Sequence, residues 1–282
     1  MEIAVLLATF NRKEKTLSCL ESLFKQNINN HINLNVFLTD DNSSDGTQAA
    51  VKRCYPFVNV LKGTGSLFWA GGMRNSWTNA IKSKPDYFLL INDDTLLKPD
   101  CVSKLLKYYE TDKAGGIAIG STIDVEKNKI SYGGHKLFYA DKVPCFSVFS
   151  ETEYLECDMA NANIMMVPKN VVKEIGILSS EFTHSIADFD YTLRAKKAGF
   201  KTTVVPGVLG SCVDDNLNDE FKIKRNLKQR IAHLKSPKGL AYKEYMGFIT
   251  NHFPSHKPIV FIKIWAKTLF PVLWQKIKKT NN

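Results

Sequence analysis

The sequence predicts an α/β protein: a mixed, mainly parallel sheet flanked by helices, continued by a helical C-terminal extension. Three observations carry this. Short apolar runs alternate with segments of helical periodicity along residues 3–207. Each of the first four runs ends abruptly in a polar cluster. From about residue 213 the chain turns polar, basic and helix-prone.

The elements follow in order. Residues 3–9 (IAVLLAT) read as a strand buried on both faces, ended by Asn11. Leu17, Leu20 and Phe24 recur at helical spacing in KEKTLSCLESLFKQ. LNVFLTD (34–40) is strand-like, DDNSSDGT is a loop, and TQAAVKRC is helical. VNVLK (58–62) is a third strand. A glycine-bearing loop, KGTGSLFWAGG, then leads into a helix over MRNSWTNAIKS, and YFLLI (87–91) is the fourth strand. Further on, GIAIGS (116–121), SYGGHKLFYA and PCFSVFS read as strands, and NANIMMVPKNVVKEIG as a strand entering a helix. ADFDYTLRAKKAGF (187–200) is helical with a Gly199 stop, and TTVVPG (202–207) is a strand. The division expected is a domain over 1–212 and an extension over 213–282.

In such sheets ligands bind outside the carboxyl ends of the strands. That edge would gather Thr9 to Arg12, Asp40 to Asn42, Gly63 to Gly72 and Asn92 to Asp94. Asp93 and Asp94 are adjacent carboxylates at the end of a buried run, where like charges repel and lose solvation. Carboxylates suit Mg²⁺ or Mn²⁺ completed by substrate phosphates and water. A turn or a helix cap also explains them. Asp41 can accept from the imide N–H of a uracil or thymine, or cap a loop. Trp69 beside Gly71 and Gly72 suits stacking on a sugar or base, or a core. Asp188 and Asp190 open a helix with Arg194 at helical spacing, as a general base needs and as a dipole-stabilised helix start also allows.

Composition narrows the classes. The 282 residues carry a formal net charge of +10, with basic clusters at 222–230 and near the end. This points to an anionic partner (a membrane, a diphosphate or nucleic acid) or to a solvated basic face. No recognised nucleic-acid motif is present, so nucleic acid is not expected. The six cysteines lack any C-x-x-C pair, which argues against a zinc ribbon or a thioredoxin-type motif and fits a reducing compartment. The N-terminus reads as a strand, not a signal peptide, and no uncharged apolar stretch spans a bilayer.

Thr9-Phe10-Asn11-Arg12, Asp40-Asp41-Asn42-Ser43-Ser44-Asp45-Gly46-Thr47, Asn92-Asp93-Asp94 and Asp188-x-Asp190-Tyr191-x-x-Arg194 with Ala198-Gly199-Phe200 together resemble the family 2 glycosyltransferases in order and spacing. The stretch Leu67 to Arg74 resembles a branch with rhamnosyltransferase-like proteins of bacterial surface polysaccharide synthesis. The resemblance covers roughly residues 1 to 210 and implies a glycosyltransferase A fold. It also implies a nucleotide-diphospho-sugar donor, UDP- or dTDP-linked, and inversion at the anomeric carbon.

On that resemblance Thr9 and Asp41 contact the donor's base and ribose, with Asn11, Arg12, Trp69, Gly71 and Gly72 on the donor side. Asp94 is the ligand for Mn²⁺ or Mg²⁺, Asp93 holds the donor's sugar or ribose, and Asp188 is the catalytic base supported by Asp190, Tyr191 and Arg194. The acceptor is a hydroxyl of a glycan or lipid-linked glycan. Three positions depart from the pattern: Asn92 opens the acidic triplet, Ala187 precedes the base, and Ser211-Cys212 stand where many relatives place a histidine metal ligand.

The tail KPIVFIKIWAKTLFPVLWQKIKK alternates bulky apolar residues with lysines, and Pro271 should kink or end a helix. Residues 259–279 fit an interfacial helix on an anionic inner leaflet, or one docked on the catalytic domain or another subunit. A cytoplasmic protein at the inner face of the cell membrane is expected, its oligomeric state open. Two other functions stay in play: a nucleotidyltransferase on a similar sheet, although ATFNRKEK lacks that class's glycines, and a non-catalytic carbohydrate- or nucleotide-binding module.

Overall fold

The computed structural model describes residues 1–111, 115–214, 225–237 and 239–274. The chain divides into two compact units, Met1–Leu137 with Cys145–Asp214, and Phe138–Pro144 with Asp215–Asn282.

The first unit opens with β1 (Glu2–Thr9), α1 (Lys13–Phe24), β2 (Asn33–Asp40), α2 (Thr47–Cys54), β3 (Asn59–Lys62), α3 (Phe68–Ala80) and β4 (Tyr87–Ile91). Four parallel strands result, in the order β3-β2-β1-β4. The third crossover reverses direction, so β4 joins β1 on the side away from β2. The carboxyl ends of β1, β2 and β4 therefore flank a topological switch point. On one face Ile3, Val5 and Leu7 pack with Cys19, Leu20 and Leu23 of α1. On the other, Ser76 of α3 donates to the Leu7 carbonyl at 2.8 Å. A Cβ at Gly72 would lie 2.7 Å from the Ala8 Cβ, so glycine permits the helix to lie this close.

The unit continues with β5 (Leu96–Leu97), α4 (Cys101–Thr111), β6 (Ile117–Asp124), β7 (Lys129–Tyr132), β8 (Gly134–Leu137), β9 (Cys145–Val148), β10 (Leu155–Cys157), β11 (Met159–Ala160), β12 (Ile164–Pro168), α5 (Lys169–Ile175), α6 (Ala187–Lys197) and β13 (Thr202–Ser211). Strand β12 enters antiparallel between β4 and β6, and β13 lies parallel to β6. A small antiparallel sheet, β11-β8-β9, stands apart. The last strand runs past Pro206 and Gly207 (φ 78°) through a register shift, reaching Ser211 where the sequence predicts an end at 207. Strands β10 and β11 are too short to leave a periodic signal.

In the second unit α7 (Leu227–Lys235) starts on a reciprocal cap between Asn226 and Gln229. Then come α8 (Tyr242–His252) and α9 (Lys257–Leu269), tied by a hydrogen bond from Trp265 Nε1 to the Tyr242 hydroxyl at 3.2 Å. Helix α9 ends two residues before Pro271, as expected. The basic residues at 222–224 and the end of the predicted interfacial segment at 275–279 lie outside the described residues. Among the described residues no helix is long and apolar enough to cross a membrane.

Candidate active site

The loops after β1 and β2 are stitched together. Asn11, at φ 52°, accepts from Ser44 N–H through Oδ1 at 2.7 Å, and its own N–H donates to Ser43 Oγ at 2.8 Å. Lys13 N–H donates to Asp45 Oδ2 at 2.9 Å. Thr9 Oγ1 is buried 2.8 Å from Thr16 Oγ1. Thr16 Oγ1 also reaches the Arg12 carbonyl at 2.9 Å, which ties Thr9 to the start of α1.

Asp41 serves as the loop cap. Its Oδ1 accepts from Gly65 N–H at 2.7 Å, and Oδ2 accepts from Leu67 and Phe68 N–H at 2.8 and 3.2 Å. The expected donor contact of Asp41 thus meets a carboxylate whose two oxygens are already held by the backbone. The neighbouring Asp40 is the acid with an unpartnered buried oxygen, Oδ2.

The glycine-bearing loop is shorter than predicted, because α3 begins at Phe68 rather than Met73. Gly71 and Gly72 are buried turns of this helix, chosen for close packing. They are therefore not the flexible loop glycines expected beside a donor. Half-buried Trp69 donates from Nε1 to Asn92 Oδ1 at 2.8 Å. This gives the departure at position 92 a physical use: an uncharged amide receives the indole N–H beside two acids.

Asp93 and Asp94 follow β4 at a turn closed by Thr95 N–H to the Asn92 carbonyl at 3.1 Å, and the turn lets both side chains reach one group. That group is Arg12, whose guanidinium lies 3.2 Å from Asp93 Oδ1 and 2.7 Å from Asp94 Oδ2. Lys15 Nζ stands 3.7 Å from Asp94. Burial raises the Asp93 carboxyl to about 6; the Arg12 charge opposes this and the Asp94 charge adds to it. Asp93 Oδ2 is buried without a hydrogen-bond partner. Cys212 Sγ lies 3.5 Å from Asp94 Oδ1, and burial with the Asp94 charge pushes its thiol up to about 12.

Asp188 sits in the first turn of α6, half-buried. Its Oδ2 accepts from Ala162 N–H at 3.2 Å and its Oδ1 from Phe189 N–H at 2.9 Å. Burial raises its carboxyl, against these hydrogen bonds. The other residues of the motif build the helix. Arg194 Nε donates to Asp190 Oδ2 at 2.8 Å and its other nitrogens cap the Ile175 and Ile177 carbonyls, while Tyr191 hydroxyl donates to the Gly176 carbonyl. Arg74 of α3 donates to the Ser179 and Phe182 carbonyls, and Ala70 N–H to Thr183, fastening the loop before α6.

One short segment joins the acids. Ala162 donates to Asp188. The next residue, Asn163, accepts from Asn92 N–H at 3.3 Å and donates from Nδ2 to Cys212 Sγ, which faces Asp94. Sequence reasoning passed over Asn161 to Asn163; the polar interruption NAN ahead of an apolar strand was the signal available. Among the described residues no three His, Cys, Asp or Glu side chains form a metal cage. The two carboxylates and the unpartnered Asp93 oxygen instead fit a divalent ion that takes most of its shell from a diphosphate and water.

A family model described as glycosyl transferase family 2 matches residues 4–172. The chain belongs to glycosyl transferase family 2. It is a glycosyltransferase of the glycosyltransferase A fold. No curated protein matches the sequence. Among solved structures it is similar to a Pyrobaculum calidifontis mannosyltransferase in complex with GDP-Man and Mn²⁺, at TM-score 0.60 and 13% identity over 95% of this chain and 70% of that one. It is also similar to S. aureus TarS residues 1–349 in complex with UDP, at TM-score 0.57 and 15% identity over 90% and 72%. The TarS complex with UDP-GlcNAc gives TM-score 0.58 at the same identity over 90% and 73%. At such identity the likeness is one of fold.

Proposed function

We propose that this glycosyltransferase inverts the anomeric carbon, moving a sugar from a UDP- or dTDP-linked donor to a hydroxyl of a glycan or lipid-linked glycan. The observation that carries this is the Ala162-Asn163 segment, which links Asp188 to the Asp93-Asp94 turn. Asp188 is the base. Raised by burial yet held by two N–H donors, its carboxylate is a stronger base than an exposed one and is oriented to take a proton. The acceptor oxygen attacks C1 as its proton passes to Asp188, and the bond from C1 to the diphosphate oxygen breaks with its electron pair on the phosphate. Attack opposite the leaving group inverts C1. Asp94, with Asp93 behind it, would hold Mn²⁺ or Mg²⁺, which offsets charge on the departing diphosphate. Thr9, Asn11, Arg12 and Trp69 form the donor side, and Asp41 shapes its 63–67 loop. The rhamnosyltransferase-like branch is supported by the Leu67–Arg74 stretch.

Thermal shift with nucleoside diphosphates tests this, with and without Mn²⁺ and Mg²⁺. At a hundredfold excess over Kd, ligand adds about 2.7 kcal/mol. Metal-dependent stabilisation by UDP or dTDP, lost in Asp94→Ala, is expected. Stabilisation by GDP alone, or by no nucleotide, would overturn the donor assignment.

A second observation favours contact with an anionic membrane, and hence a place at the inner face of the cell membrane. Ile259, Ile262 and Leu269 of α9 are 47%, 64% and 41% exposed, on one arc flanked by Lys263. Ile262→Glu should abolish co-sedimentation with anionic vesicles; unchanged binding, or a dimer broken by the substitution, would refute it.

A further inference from the structure

His135, on β8, braces the surroundings of Asp188 from two directions. Its Nε2 lies 3.0 Å from Asn161 Oδ1, and its ring meets Phe189 edge-on with centroids 5.3 Å apart. Asn161 precedes Ala162, and Phe189 follows Asp188; Ala162 and Phe189 are the two backbone donors to the carboxylate. The Asn161 side-chain amide is a third donor favouring its ionised form. On its far side His135 Nδ1 stands 3.4 Å from Ser147 Oγ. One of the two ring tautomers completes this chain. With the Ser147 hydroxyl donating to Nδ1, the ring proton is on Nε2 and donates to Asn161 Oδ1. The amide is then committed with its oxygen to His135, which turns its NH₂ towards Asp188.

We propose that His135 and Asn161 are positioning residues for Asp188: His135 fixes the orientation of the Asn161 amide so that its N–H meets the carboxylate, and its ring supports the Asp188-Phe189 turn. The role rests on the reading of Asp188 as the base; the hydrogen-bond chain stands without it. The charged groups of the elements packed on α6 are engaged elsewhere or exposed. Asp190 pairs with Arg194, Lys196 with Asp158 and Lys169 with Asp86, and Lys173 and Glu174 face solvent. Burial and hydrogen bonds alone shift Asp188. His184, in the loop before α6, has its ring 6.2 Å from Phe68.

The experiment is thermal stability against pH for the ligand-free full chain, each protein compared with its own Asp188→Asn partner. Because the folded carboxyl is raised, the parent loses ground to its partner as pH climbs through the unfolded value. It levels off once the folded value is passed. Asn161→Ala and His135→Phe should move that levelling-off upward by about one pH unit. His135→Gln, whose amide N–H can replace Nε2–H, should leave it in place. An unmoved profile in Asn161→Ala and His135→Phe overturns the proposal, and so does a His135→Gln profile that moves with His135→Phe. If Asn161→Ala does not fold, the two His135 variants decide. UDP and dTDP binding by the same samples separates the two readings. A shifted profile without nucleotide binding would unseat the donor site and keep the His135–Asn161 chain. Nucleotide binding with no shift would do the reverse.

Discussion

Arg12 Nη1 lies 2.7 Å from Asp94 Oδ2, and the same nitrogen reaches Asp93 Oδ1 at 3.2 Å. A side chain from the loop after β1 therefore supplies the positive charge that the acid pair after β4 demands. A divalent ion would compete with it for the same oxygens. Arg12→Met should raise Mn²⁺ affinity of the ligand-free protein about tenfold, and should weaken metal-free binding of nucleoside diphosphate. Calorimetric titration reads both; equal Mn²⁺ affinities would show that Arg12 and the metal occupy separate places.

Asp93 gives a pH signature. Its folded value of about 6 lies above the unfolded one, so its protonated form is favoured by the fold. That contribution is complete at low pH and is lost as pH rises from about 4 to about 6. Asp93→Asn should gain on the parent across this window, by up to about 3 kcal/mol above it. Urea unfolding at pH 4 to 8 tests this. A difference that does not change with pH would mean that Asp93 titrates normally.

Asp188→Asn keeps the size of the carboxylate and one of its two accepted backbone hydrogen bonds but cannot take a proton. Turnover should fall by about 10²–10⁴-fold with nucleotide affinity within a factor of about two. Product release measured beside nucleotide titration distinguishes this from a collapsed site, in which both would fall.

Arg194 is 26% exposed and its partner Asp190 only 4%. Arg194→Met removes the buried ion pair with Asp190 and uncaps two carbonyls, and should cost about 3–5 kcal/mol of stability. Adding Asp190→Asn should recover part of it, which denaturant unfolding of the double variant would show.

Gly72→Ala sets two effects against each other. Helix propensity favours alanine by about 1 kcal/mol. The new methyl, 2.7 Å from Ala8 Cβ, costs about 1–3 kcal/mol in a packed core. Net destabilisation with unaltered nucleotide affinity is expected. A selective loss of nucleotide binding would return Gly72 to the donor side.

The sequence by itself determined the strand-and-helix order of the first unit, because strands buried on both faces leave unbroken apolar runs such as 3–9 and 87–91. It also marked the acids at their ends, since a carboxylate next to such a run stands out. It could not decide which acids are occupied. Asp40 and Asp41 are equivalent as letters, yet Asp41 is held by three backbone N–H groups while Asp40 keeps an unpartnered oxygen. Gly71 and Gly72 read as loop residues, yet they lie inside α3, where Gly72 packs against Ala8. The meeting of Arg12 with Asp94, and of His135 with Asn161, depends on strand order and antiparallel insertion, contacts between residues 82 and 26 positions apart. Local periodicity carries no record of such pairings, because they form only when the tertiary fold closes the distance.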